Sequence, residues 1–208
     1  MDKNKVKFGL KNVHYAKLTI GEDGTPTYAT PVAWPGAVSL SLDAEGDSNT
    51  FYADDMAYYV SVANNGYSGD FESALIPDDF NKDIMGAVND ADGVQIEESS
   101  VEPGAFALLF EFTGDKNAIR HVLYNCKMTR ASVESESTED SKEPKTETGT
   151  ITASPLVLPE AVTVGTGETA QTISTVVKGK TTADTTSTVY TDWYKSVHLP
   201  TKTATEAT

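Results

Sequence analysis

Apolar and polar side chains alternate with a period of two along much of this chain. Ala37 to Leu42 sets Val38, Leu40 and Leu42 on one side and Ala37, Ser39 and Ser41 on the other, which is the pattern of a half-buried β-strand. The alternation returns after Met56, where Tyr58, Val60 and Val62 oppose Tyr59 and Ser61 before Asn64-Asn65-Gly66, residues that tolerate positive φ, ends the run. Phe106 to Thr113 and Ala118 to Met128 are the longest strand candidates. Gly114-Asp115-Lys116-Asn117 between them predicts a tight turn, and hence an antiparallel pair. Shorter strands are expected at Val13 to Ile20, Tyr67 to Ile76, Val94 to Glu98, Gly149 to Ala153 and Gln171 to Lys178.

Two segments depart from this period and predict helices. Pro77 suits a first helical turn, Asp78 and Asp79 suit the positive end of the helix dipole, and Gly86 is a stop, with Phe80 and Ile84 sharing a face. From about Thr185 to Val197, Val189, Tyr190, Trp193 and Val197 recur at three- and four-residue intervals, and Pro200 closes the segment. The fold class that follows is mainly β, or α+β: an antiparallel β-sandwich with one or two short helices flanking the sheets and extended loops. A single domain over residues 1–200 is expected, followed by a flexible tail at 201–208. The loop from Ser132 to Thr148 contains Ser135-Glu136-Ser137-Thr138-Glu139-Asp140-Ser141-Lys142, which has no apolar residue to offset the entropy of ordering it. The segment Asp43 to Asp55 reads as one long hairpin arm if Phe51 and Tyr52 find strand partners.

The chain has 208 residues and a formal net charge of -15, enough length to bury a core without staples. With Cys126 as its single cysteine, neither an internal disulfide nor a cysteine-ligated zinc module is available. No apolar run approaches the roughly 18 residues that span a bilayer, and Met1-Asp2-Lys3-Asn4-Lys5 leads into no signal-like apolar core. A soluble protein made in the cytosol, with no membrane partner, is expected. The charge is concentrated: Leu18 to Asp115 holds 19 acidic residues and one basic residue, Lys82. A segment of that kind repels phosphate and excludes tight nucleic-acid binding, which needs lysine and arginine to displace counterions.

Catalytic patterns are absent from the sequence. His14, His121 and His198 are scattered, with no His-x-x-x-His, no Gly-x-Ser-x-Gly and no phosphate-binding glycine loop. His121 alternates with Arg120 and Val122, so a surface position is favoured over a general base, and Cys126 reads as a half-buried apolar residue rather than a nucleophile. Asp43-Ala44-Glu45-Gly46-Asp47 and Asp90-Ala91-Asp92-Gly93 have the look of calcium loops but do not continue into the twelve-residue pattern. No enzyme activity, cofactor or metal is expected.

Several stretches resemble, in order and spacing, the phage major tail protein family, which forms the tube of long non-contractile tails. They are Asn65-Gly66-Tyr67-Ser68-Gly69-Asp70-Phe71-Glu72 followed by Leu75-Ile76-Pro77-Asp78-Asp79-Phe80; Phe106-Ala107-Leu108-Leu109-Phe110-Glu111-Phe112-Thr113-Gly114; His121 to Arg130; Glu143 to Thr148; and Tyr190-Thr191-Asp192-Trp193-Tyr194 up to Pro200. Ser154 to Thr169 and the terminal tail fall outside the resemblance.

The resemblance implies a structural virion protein, assembled in the host cytoplasm, whose hexameric rings stack into a tail tube. DNA passes through it during ejection without tight binding, and the partners are further copies of the same chain, a tape measure protein and tail-end proteins. About four strands from each of six subunits, at ~4.8 Å spacing and ~40° tilt, give a backbone diameter near ~48 Å. Side chains narrow that bore by about 10 Å and still leave room for a duplex roughly 20 Å across. An acidic lumen would keep phosphate from sticking. On this reading Asp43, Glu45, Asp47, Phe51, Tyr52, Asp54 and Asp55 form an inter-ring loop, and Asp70, Glu72, Glu97 and Glu111 are candidate lumen or subunit-interface acids. A different class of function is a β-sandwich adhesion or carbohydrate-binding module, with Trp34, Tyr52, Tyr58, Tyr59 and Tyr67 as a sugar-stacking platform.

Overall fold

A computed structural model describes residues 7–115, 117–137, 144–165 and 170–202, and these described residues form fifteen strands and two short helices. In order they are β1 (Leu10–Ile20), β2 (Pro26–Tyr28), β3 (Val32–Ala33), β4 (Ala37–Glu45), β5 (Ser48–Ala53), β6 (Met56–Val62), β7 (Gly66–Ser73), α1 (Asp78–Asp83), β8 (Val88–Asn89), β9 (Gln95–Ile96), β10 (Phe106–Phe112), β11 (Arg120–Met128), β12 (Glu147–Ala153), β13 (Leu156–Val164), β14 (Gln171–Val176), β15 (Lys178–Lys180) and α2 (Ser187–Asp192). The fold is mainly β, and its strand pairs are antiparallel. Nine strands form one sheet in the order β2-β1-β10-β11-β12-β7-β4, with β3 against β1 and β15 against β11. The hairpins β5–β6, β8–β9 and β13–β14 are separate two-stranded sheets.

The large sheet curls until β1 and β4 approach each other. The two layers expected of a sandwich are therefore two halves of one sheet, β1-β10-β11 facing β12-β7-β4. Between them lies the main core of Val13, Tyr15, Trp34, Phe71, Phe106, Leu108, Phe110, Leu123, Cys126 and Ile151. Helix α1 closes one end of this interior. Asp78 and Asp79 occupy its first turn and Lys82 its last, in keeping with the dipole, and Phe80 meets Tyr15 and Phe106 edge-to-face at 5.0 and 5.2 Å. The indole N–H of Trp34 donates to Ser73 Oγ at 2.9 Å, so a polar atom inside the aromatic cluster is satisfied.

A second core lies on the outer face of β1-β10-β11. Ala16, Leu18, Ala107, Leu109, Val122, Tyr124 and Leu156 pack there against Trp193, with Val189, Tyr194, Val197 and Leu199 at the margin. Strand β10 thus has apolar contacts on both faces, which accounts for its unbroken run Phe106-Ala107-Leu108-Leu109-Phe110. Thr186 caps α2, its side chain accepting from the Val189 N–H. The helix is shorter than the expected Thr185 to Val197: it ends at Asp192 with Trp193, still in αR geometry, as its C-cap and buried in this core.

A bulge corrects one detail of the strand reading, and a second marks β1. Val38 is exposed rather than level with Leu40 and Leu42, since a register irregularity between Ala37 and Ser39 shifts the phase of β4. Asn12 takes φ 52° at the irregularity in β1 between Lys11 and His14, a conformation that asparagine accepts more readily than most residues. The sequence pattern missed β13, within Ser154 to Thr169, of which 166–169 lie outside the described residues. Of the loop Ser132 to Thr148, residues 138–143 lie outside the description, as do tail residues 203–208; Glu147 and Thr148 belong to β12.

Candidate assembly surface

The hairpin arm exists, and its bounds are wider than Asp43 to Asp55. Strand β4 leaves the large sheet at Glu45, paired with Gly66, and the chain between them runs out and back as β5 and β6. Phe51 pairs with Tyr59 and Tyr52 with Ala57, the partners that the sequence left open. The two-residue tip is Asp54-Asp55, both left-handed at φ 52° and 58°, between the paired Ala53 and Met56; this twist matches that of the flanking strands. Gly66 closes the base with φ 113°, and a Cβ there would collide with the Ala153 carbonyl oxygen, so only glycine fits.

Both faces of the arm are exposed. Phe51, Tyr52, Met56, Tyr58, Tyr59, Val60 and Val62 are each 55–75% accessible. The alternation that reads as half-buried in sequence therefore has no inner side within one copy of the chain. An isolated two-stranded hairpin is marginally stable in water, and a contiguous apolar patch on a monomer is unusual. Asp43, Glu45, Asp47, Asp54 and Asp55 lie along this arm and its root, and residues 43–62 carry no lysine, arginine or histidine.

The predicted lumen acids separate into three environments. Asp70 and Glu72 alternate with the buried Phe71 and Ser73 on β7, so they point outward. The registers place Ser39, Glu72 and Thr148 in one cross-strand row, Ser41, Asp70 and Thr150 in the next, and Asp43, Ser68 and Thr152 in a third. The result is a face of hydroxyls and three carboxylates. Thr146 and Ser39 donate to Glu72 at 2.6 and 3.0 Å, which holds its carboxyl below the ordinary range, and Thr150 donates to Asp70 at 3.2 Å. Glu97 lies beyond β9 in an ion pair with Arg130.

Glu111 does not belong to any outward face, a correction to its expected position. It is 3% exposed, beneath the C-terminal segment, where Arg120 Nε and Tyr194 Oη donate to it at 3.0 and 2.9 Å and Lys11 Nζ stands 3.5 Å away. The Arg120 guanidinium also lies 3.9 Å from the centre of the Tyr190 ring. Burial and the bond to Glu111 push the Tyr194 hydroxyl pKa upward. A charged position in a strand of apolar residues gave no sign in sequence of the arginine nine residues on and the tyrosine eighty-three residues on that surround it.

Other singled-out residues have structural settings. Cys126 is fully buried, and burial pushes its thiol up to about 12, so it is largely protonated at neutral pH. His121 is half-buried and stacked on Phe110, 5.2 Å between centroids. Asp90 accepts from the Asp92 and Val94 N–H groups at 3.0 and 2.8 Å within the β8–β9 turn. Among the described residues no group of three or more His, Cys, Asp or Glu side chains is placed to hold a metal ion, and no helix is long and apolar enough to cross a membrane. Trp34 is buried and so cannot join Tyr52, Tyr58 and Tyr59 in a sugar platform.

No protein-family model matches the chain, and no curated protein matches it. Among solved structures it is similar to the anti-feeding prophage cap, the AFP tube terminating cap seen by cryo-EM, at 12% identity and a TM-score of 0.33, over 74% of this chain and 92% of that one. A likeness at that level carries no argument about function.

Proposed function

We propose that this chain is a structural tail protein of the phage major tail protein kind, whose copies close into hexameric rings and stack into a tube. The observation that carries the reading is the β5–β6 arm, with seven large apolar side chains exposed on its two faces. Burial against a neighbouring copy removes that surface from water and fixes a hairpin that has little reason to be rigid alone. The arm is the inter-ring contact in this reading. Asp43, Asp70 and Glu72, on the hydroxyl-rich face of β4, β7 and β12, are the lumen acids, placed to repel DNA phosphate during passage. Tape measure and tail-end proteins are the further partners, the virion is the final location, and no step of catalysis is assigned.

The test is assembly of the purified full-length chain over a concentration series, followed by light scattering and negative-stain microscopy. Rings or tubes of uniform bore are expected. A chain that stays small at all concentrations, and that a glycan column retains, would overturn the reading in favour of a carbohydrate-binding module. The arm's part is read from Phe51→Ser with Tyr59→Ser, both exposed and outside the two core clusters: secondary structure should be unchanged and tubes absent.

A further inference from the structure

The interior of the curled sheet is closed at one end by α1 and open at the other. At the open end is a cavity of about 160 Å³ whose walls include Leu42, Tyr67, Phe110 and Phe112. Its rim is basic. Lys7 Nζ lies 5.0 Å from the centre of the Phe112 ring, and Lys178 Nζ lies 4.4 Å from that of Tyr67, accepted by its hydroxyl at 2.9 Å. Lys180 stands opposite His121 across the β11–β15 pair. None of these three lysines has a carboxylate within ion-pair distance among the described residues. Burial holds the His121 imidazole below its usual pKa, and Lys180, Lys178 and Lys7 add to the shift against the opposing carboxylate of Asp115. A lysine cluster around an aromatic cavity is out of character for a chain of net charge -15.

The same molecule carries the complement. The arm has exposed aromatic rings and ends in Asp54-Asp55, with five acids and no base over residues 43–62. We infer that the lysine-rimmed mouth is the receptor for the acidic, aromatic arm of a second copy of this chain, carboxylates on the lysines and a ring in the cavity. The occupant is a second copy because β5 and β6 pair with each other in a sheet of their own, and six residues of strand carry the tip about 20 Å from the arm's base. That base, at Glu45 and Gly66, lies beside Leu42 and Tyr67 at the mouth itself, so the tip reaches away from its own mouth. Complementary potential of this sort sets which surfaces meet, and like charges in the same place cost several kcal/mol. The inference rests on the self-assembly reading above and names the surface that the arm meets.

Charge exchange tests it. One full-length variant carries Lys178→Glu and Lys180→Glu, the other Asp54→Lys and Asp55→Lys, all four exposed positions. Each alone should raise the concentration at half-assembly by about tenfold or more, as a loss of at least one such contact requires. Mixed one to one, the variants should recover assembly, because every arm then has an opposite-charged mouth available. Thermal unfolding below the assembly threshold checks that each is folded, and Lys178→Gln with Lys180→Gln replaces the glutamate pair if it is not. Wild-type tubes together with unimpaired assembly of the mouth variant would overturn the receptor and leave the self-assembly reading standing. Impaired variants that fail to recover on mixing would also overturn it, and absence of wild-type assembly would overturn both.

Discussion

Removal of the carboxylate at position 111 is expected to destabilise the subunit far more than a strand glutamate ordinarily would. Glu111 is 3% exposed, and the Arg120 side chain that it pairs with is 18% exposed. Breaking a buried pair from one side leaves an uncompensated charge and costs about 3–5 kcal/mol. Arg120 keeps part of its compensation, since the Tyr190 ring lies 3.9 Å away and the Tyr190 carbonyl also accepts from it. That retention, and the guanidinium's partial access to water, lower the expected cost of Glu111→Leu to about 2–4 kcal/mol. The double replacement Glu111→Leu with Arg120→Leu removes both charges and should restore much of the loss, giving a coupling of about 1.5–3 kcal/mol in a double-mutant cycle. Trp193, buried in the second core beside these residues, supplies the fluorescence signal for urea unfolding below the onset of assembly. A single-variant loss under about 1 kcal/mol, or a double variant no better than the sum of the singles, would refute the argument that burial of this charge holds the C-terminal segment to β10 and β11.

Acid should weaken the fold before carboxylates titrate. Burial holds the folded pKa of His121 and of His198 below the ordinary 6.5, so the unfolded chain binds more protons and stability is lost as pH falls below about 6.5. His121→Gln with His198→Gln should flatten urea midpoints between about pH 6.5 and 5, and an unchanged slope would reject the cause. Asp55→Gly should slow hydrogen exchange in β5 and β6, because glycine accepts φ 58° without the roughly 1 kcal/mol cost of a side chain there; faster exchange would count against the turn geometry. Asp70→Lys with Glu72→Lys should leave tubes intact by microscopy yet slow DNA ejection, and unchanged ejection would remove these acids from the conduit.

Local pattern carried the strands and turns. The run Phe106 to Phe112, the alternation in β6, a helix with Asp78 and Asp79 in its first turn, and the apolar positions of the C-terminal segment were legible, because each depends on side chains a few residues apart and on backbone preferences of single residues; α1 ends at Asp83, short of Gly86, and Pro77 is its extended N-cap. The mainly-β class followed from them. Strand β13 is not legible from the alternation, since Pro159-Glu160 interrupts its apolar residues.

What each strand faces was decided by tertiary structure. Val38 lost its inner position to a bulge whose presence depends on the register against β7, and Glu111 was drawn under a segment from the far end of the chain. Asp70 and Glu72 share a face with Asp43 only because β4 aligns on β7. The lysines of the mouth arrive from the N-terminal segment and from β15 to meet aromatic residues of β7 and β10. Alternation along a strand defines two sides and is silent about which is inner; closure of the sheet and pairing across long sequence separations make that choice. For the arm, closure within one subunit makes no such choice: both of its sides remain exposed.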